Sequence, residues 1–224
     1  MESQQTHLST AGSAVRRRSN GLQAYRDRVA REKRSRLLDA AVERFLADGY
    51  DRTTLEAVAR GAGVSSATLY KHFPTKSDLF GGVMASVWES QPGAPETEPS
   101  VGDPREGLTV IGRDYAARLA RPQSVDLYRL VIAEAPRFPA LGADLHDRAR
   151  KPYLERLRAY LRRAVEAGEL AIDDLTIAER QFLAMIADLV FWPRLLLVGH
   201  PVSESEMAAA VDQAVETFLH RHAA

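Results

Sequence analysis

From Leu37 onward apolar residues recur at intervals of three and four, the spacing of one face of an α-helix, and no β-branched run alternates with polar residues as a strand does. Leu37, Leu38, Ala41, Val42, Phe45 and Leu46 predict a first helix over 29–47, stopped by Gly49. Leu55, Val58 and Ala59 predict a short second helix, with Thr53 and Glu56 as its capping box. Ser65 caps a third, which turns Leu69 and Phe73 inward. Thr75 with Asp78 opens a fourth, whose Leu79, Phe80, Val83, Met84, Val87 and Trp88 share one stripe, with Gly81-Gly82 as an expected hinge. "QPGAPETEPSVGDP", residues 91–104, predicts a loop. Beyond it the helical period returns in segments 105–120, 124–137, 141–167, 176–198 and 203–222, with capping boxes at Thr176/Glu179 and Ser203/Glu206. The expected architecture is all-α: a flexible basic arm over 1–30, a helical unit over 31–90, the loop, and a second helical unit over 105–224.

Composition adds little to that picture and charge adds more. At 224 residues and 45% hydrophobic content the chain can bury a full core. With no cysteine, neither disulfides nor thiolate metal sites hold it together, which fits a cytoplasmic protein. No apolar core of a secretory signal appears in the first thirty residues, and the most apolar stretch, 182–198, is broken by Asp188, Pro193 and Arg194, so no membrane partner is expected. A net charge of zero hides an asymmetry: residues 1–80 carry 14 basic against 9 acidic side chains, and the rest 16 against 21. The excess sits before Leu37, including Arg16, Arg17 and Arg18, either as a solvated tail or as an arm for phosphate.

The second and third helices are joined by "GAGVSS", Gly61 to Ser66. Two short amphipathic helices joined by a turn of three or four residues containing Gly make a helix-turn-helix. Gly63 supplies the left-handed residue such a turn needs. With Leu69 and Phe73 inside, Ala67, Thr68, Tyr70 and Lys71 lie outside or on the flanks, a small and polar face suited to a major groove.

"GYDRTTLEAVARGAGVSSATLYKHFPTKSDLF", Gly49 to Phe80, resembles the N-terminal domain of the TetR family of bacterial transcriptional regulators. The resemblance rests on Thr-Thr before the second helix, Ala-Gly-Val-Ser at the turn, Thr-Leu-Tyr-x-His-Phe in the third and Lys-x-x-Leu-Phe opening the fourth. "YRLVIAEAPRFPALG", Tyr128 to Gly142, is similar to a segment of the AefR-like subgroup. The resemblance implies an N-terminal helix-turn-helix DNA-binding domain and a C-terminal ligand-binding and dimerisation domain. It further implies a homodimer that binds palindromic operator DNA, most often as a repressor, and releases it when a small molecule occupies the C-terminal domain. Carried onto matching positions, Thr53, Thr54 and Lys76 touch phosphate, and Ser65, Ser66, Ala67, Thr68, Tyr70 and His72 face DNA. The third helix offers no Arg, Asn or Gln for bidentate base reading, which leaves Lys71 as its guanine reader and Arg16, Arg17 and Arg18 for a narrow minor groove.

In the second unit Tyr115, Leu119, Tyr128, Ile132, His146, Phe182, Met185 and Trp192 either line an apolar ligand cavity or are plain core. Met207, Val211, Val215 and Phe218, flanked by Ala208, Ala210 and Ala214, form a stripe on the last helix, where the resemblance places the dimer interface. A rival reading is an enzyme. Against it, the six histidines include no pair at metal-binding helical spacing, and neither a phosphate loop nor a nucleophile elbow is present, so no catalytic residue, metal or cofactor is expected. The other alternative, a helical interaction protein without DNA binding, leaves Thr53, Tyr70, His72 and Lys76 without a purpose.

Overall fold

The computed structural model describes residues 5–88 and 99–224, with side chains from Tyr25 onward. These residues are helical throughout, without a strand among them beyond a single bridge between Leu170 and Ala223. Helix α1 runs Gln5–Arg52, interrupted near its end by Gly49 at φ 78°, the stop that the sequence predicts. The arm expected over 1–30 continues α1 back to Gln5, and its Gln, Ala, Leu and Arg form helix readily. Residues 1–4 and the side chains of Arg16, Arg17 and Arg18 lie outside the described set.

Helices α2 (Leu55–Gly61), α3 (Ser66–His72) and α4 (Lys76–Trp88) complete the N-terminal unit around Phe45, Leu69, Leu79 and Phe80, all fully buried. Caps decide where each starts. Ser65 accepts from the Thr68 amide as expected, and Thr75 exchanges hydrogen bonds with Asp78. At α2 the cap is Thr54, whose hydroxyl accepts from the Ala57 amide, and not Thr53, which is turned inward. Gly81 and Gly82 are buried inside regular helix, with no break in it. A methyl group on Gly82 would stand 2.6 Å from the Phe73 ring and 3.2 Å from Leu38, so this glycine lets α4 lie close against α3 and α1.

The C-terminal unit comprises α5 (Pro104–Ala120), α6 (Pro122–Glu134), α7 (Ala140–Asp144), a π-helical turn (Leu145–Arg150), α8 (Lys151–Glu166), α9 (Leu175–Val190), α10 (Trp192–Leu196) and α11 (Glu204–His222). Most of the loop expected over 91–104 lies outside the described residues. Asp103 closes it by accepting from the Arg105 and Glu106 amides at the start of α5. The helix expected over 176–198 breaks at Phe191, where Pro193 starts α10. Its cap is Asp174, because Glu179 is fully buried in a pair with Arg158 and is not at the helix start. Ser203 and Glu206 do form a capping box.

Helix α11 packs on α5 and α9. Val211, Val215 and Phe218 are 0%, 1% and 2% exposed, and the Phe218 ring meets Phe182 edge-on at 5.3 Å. The stripe read as a dimer face is therefore core of this chain, since an amphipathic pattern gives a buried side without naming what buries it. The outward sides of α9 and α11 carry Ala184, Ala209, Gln213 and Thr217, all exposed.

Candidate nucleic-acid interface and cavity

The corner between α2 and α3 is fixed by its backbone. Gly63, at φ 64°, donates to the Arg60 carbonyl, and the Val64 amide donates to the Ala59 carbonyl, the paired closure that ends a helix on a left-handed glycine. Val64 and Leu55 pack partly buried on the core, while Leu69 on α3 is fully buried. That leaves Ser65, Ser66, Ala67, Tyr70 and Lys71 exposed and Thr68 and His72 half-buried, one contiguous outward side of α3. The Tyr70 hydroxyl donates to a Glu56 carboxylate oxygen at 2.8 Å, which raises the phenol's pKa and lowers the carboxyl's. It ties α3 to α2 at the rim of the corner. His72 is pushed below its ordinary pKa by burial first and then by Arg34, Lys71 and Lys33, a basic cluster in which Arg34 also lies 5.4 Å above the Phe73 ring. Tyr25, Arg26, Val29 and Lys33 of α1 form a groove with Ala67, Thr68, Lys71 and His72.

Two predicted phosphate ligands have other partners. Thr53 is 2% exposed, and its hydroxyl donates to the Gly49 carbonyl at 2.7 Å with the Arg44 carbonyl 3.1 Å away. Lys76 donates to the Tyr50 and Asp51 carbonyls at 2.8 and 2.9 Å, and its ammonium stands 4.6 Å over the Tyr50 ring. Both close the interrupted end of α1, whose last carbonyls would otherwise lack donors. Thr54 is exposed, with its hydroxyl on the Ala57 amide.

A cavity of about 840 Å³ opens in the C-terminal unit. Of the expected residues it is lined by Tyr115, Leu119, Tyr128, Ile132, Met185 and Trp192. Phe182 is fully buried against Phe218, and His146 is exposed and bonded to Asp147, so neither reaches it. Phe191, Leu195, Leu189, Asp188 and Arg150 also line it. Arg150 escaped periodicity because it ends the π-helical turn, where the phase that sorts one face from another shifts.

The comparisons with known proteins fall on this same division. Residues 106–224 match the family described as AefR-like transcriptional repressor, C-terminal domain, and residues 37–83 match that described as bacterial regulatory proteins, tetR family. The chain belongs to the TetR family. It is a DNA-binding transcriptional regulator of that family. It is 31% identical over 163 residues to the HTH-type transcriptional regulator SrpR of Pseudomonas putida, covering 72% of this chain and 75% of SrpR. Against AcrR of Shigella flexneri it is 30% identical over 156 residues, with 66% and 71% covered. Among solved structures, a putative TetR-family regulator of Mesorhizobium loti superposes with a TM-score of 0.69 at 25% identity, covering 87% of this chain and 98% of that one. The flavonoid-responsive regulator FrrA superposes with a TM-score of 0.65 at 27% identity, covering 85% and 97%.

In this TetR-family chain the two units touch at the end of α4 and again at the end of α1. Tyr115 of the cavity wall lies 6.0 Å from the ring of Trp88, the last residue of α4, and Tyr153 packs on both. Arg118, one turn along α5 from Tyr115, donates to the Trp88 carbonyl and pairs with Asp114, while Arg121 donates to the Val87 carbonyl at 2.8 Å. These arginines satisfy the carbonyls that end α4. A second crossing follows α6, which carries Tyr128: beyond its end Arg137 pairs with Asp51 at 3.0 Å and the Phe138 ring lies 5.1 Å from Tyr50.

Proposed function

We propose that this regulator is a cytoplasmic, non-enzymatic repressor that binds a palindromic operator as a homodimer and leaves it when a small molecule fills the cavity. One observation carries the reading: the cavity wall and the DNA-reading corner are attached to the same helix. Tyr115 packs on Trp88 at one end of α4, and Phe73 next to α3 packs on Gly82 within it. A ligand that shifts α5 has a direct mechanical route to the spacing of the two recognition helices in a dimer. FrrA, a regulator named as flavonoid-responsive, supports a small-molecule response on this fold.

At the DNA, Ser65, Ser66, Thr68, Tyr70 and Lys71 meet phosphates and base edges, and the methyl groups of Ala67 and Thr68 pack on thymine. Lys33 and Arg34 add cations beside His72. Thr53 and Lys76 act indirectly, by holding the end of α1. The two copies meet through the outward sides of α9 and α11, where Ala209 permits close approach beside the cavity mouth that Ala184, Gln213 and Thr217 line. Footprinting of the DNA upstream of the regulator's own gene tests the proposal. A protected two-fold symmetric site that weakens steeply with salt supports it, and absence of any salt-sensitive footprint there would count against a DNA-bound repressor in favour of a helical interaction protein.

A further inference from the structure

We infer that the cavity takes a compact apolar ligand bearing a carboxylate, held by the Arg150 guanidinium with the Tyr115 and Tyr128 hydroxyls. The inference rests on the reading of this cavity as the effector site and specifies what occupies it.

Most of the lining is hydrocarbon: Leu119, Ile132, Met185, Phe191 and Leu195 offer no polar partner, so the body of the ligand is apolar. The polar groups are few and unevenly placed. Tyr153, the third tyrosine of the cluster, donates to the Ile111 carbonyl at 3.0 Å and is occupied. Neither the Tyr115 nor the Tyr128 hydroxyl makes a hydrogen bond among the described residues, and both side chains line the cavity. Burial pushes the Tyr115 phenol up to about 12 and raises Tyr128 as well, so both remain neutral O–H donors over the physiological range. Two free donors in one wall call for an acceptor.

Arg150 makes that acceptor an anion. It lines the same cavity from an exposed position at the rim, it makes no ion pair among the described residues, and it is the cation beside both phenols. A guanidinium has five N–H donors and no acceptor, and its planar fork matches the two oxygens of a carboxylate. Asp188, the other charged lining residue, sits on α9, does not pair with Arg150, and is not among the charges that act on either tyrosine. The cavity therefore has a donor-rich side at Arg150, Tyr115 and Tyr128, an apolar body, and a second polar edge at Asp188, Gln213 and Thr217. At about 840 Å³ it has room for a two-ring aromatic acid with space left over.

Isothermal titration calorimetry of the full-length protein with 2-naphthoate and with 2-naphthamide tests this, because the two probes share a shape and differ in charge. Naphthoate is expected to bind roughly tenfold or more tightly than the amide, the scale of a hydrogen bond to a charged group. Arg150→Met is expected to bring that ratio close to one while amide binding persists, and Tyr128→Phe to reduce it by less. Arg113, exposed on α5 and not part of the cavity lining, is the control, and Arg113→Met is expected to leave the ratio unchanged. Equal affinity for the two probes in the unsubstituted protein, or a ratio that survives Arg150→Met, overturns the carboxylate inference and leaves the effector reading standing. A ratio that falls equally in Arg113→Met also overturns it, in favour of a general charge effect. If neither probe gives heat at millimolar concentration, the inference falls together with the reading of this cavity as an effector site.

Discussion

Leu69 and Tyr70 are neighbours in sequence and opposites in environment, the first fully buried beneath the corner and the second 44% exposed on its outer side. Truncation to alanine should therefore separate stability from binding. Leu69→Ala is expected to cost ~2–5 kcal/mol in a denaturant titration, as a buried leucine leaves a cavity. Tyr70→Ala should keep the folded protein and weaken operator binding by about tenfold, the scale of one or two lost hydrogen bonds. Unchanged affinity in Tyr70→Ala would take that side chain out of the interface. His72 supplies a pH dependence. In free protein its pKa lies below the ordinary 6.5 because burial and three neighbouring cations disfavour the imidazolium. A DNA phosphate opposes that repulsion and raises the pKa on binding, so the complex takes up a proton and affinity grows as pH falls through the bound-state value. Without DNA the sign reverses for folding: the unfolded chain protonates first, so stability present above about 6.5 is lost as pH falls toward the depressed value. Gel-shift affinities from pH 8 to 5.5 should rise for the unsubstituted protein and stay flatter for His72→Gln, and matching profiles would exclude His72 from the contact.

At the scale of elements, α4 links the reader and the cavity, and its two glycines differ in what surrounds them. Gly82→Ala pushes a methyl into Phe73 and Leu38, and overpacking of that kind costs ~1–3 kcal/mol. At Gly81 the nearest atoms a methyl meets belong to the Arg148 side chain, half-exposed and able to move away, so Gly81→Ala should stay within about 1 kcal/mol of the unsubstituted protein. Thermal melts of the two single variants check the contrast, and equal losses would mean that Gly82 is not a close-packing site. The sequence made these helices legible because caps and the 3.6-residue period are local. Ser65, Thr75 and Ser203 cap where they were expected to. Where two local solutions competed, the pattern could not choose: Thr54 and Asp174 cap in place of Thr53 and Thr176 because tertiary packing drew Thr53 inward and Glu179 to Arg158. The same limit applies to the stripe on α11, whose spacing is equally good for a core and for a dimer face. Lys76 shows it at the candidate site, since a lysine at a helix start is as well suited to the carbonyls ending another helix as to a phosphate.

For the whole molecule, the excess positive charge of residues 1–80 becomes a statement about salt. Each arginine of the arm that neutralises a phosphate contributes about −0.9 to the slope of log K against log salt, so deleting residues 1–20, with Arg16, Arg17 and Arg18, should flatten that slope by roughly 2–3 units per arm. Among the residues whose side chains are described the buried core starts at Leu37, so the truncated protein is expected to fold. An unaltered slope after truncation would identify the arm as a solvated tail. The contact between Tyr50, Asp51, Arg137 and Phe138 bears on how freely such a regulator can be recombined. Loop 91–104 looks like the natural place to cut when grafting a foreign reader onto this sensor, yet the corner after α6 grips the end of α1, and Arg118 and Arg121 grip the end of α4, from the far side of that cut. A working hybrid must transplant both handshakes along with the helices: a reader without a partner for Phe138 and Arg137 can still bind its operator, but it will no longer hear the sensor.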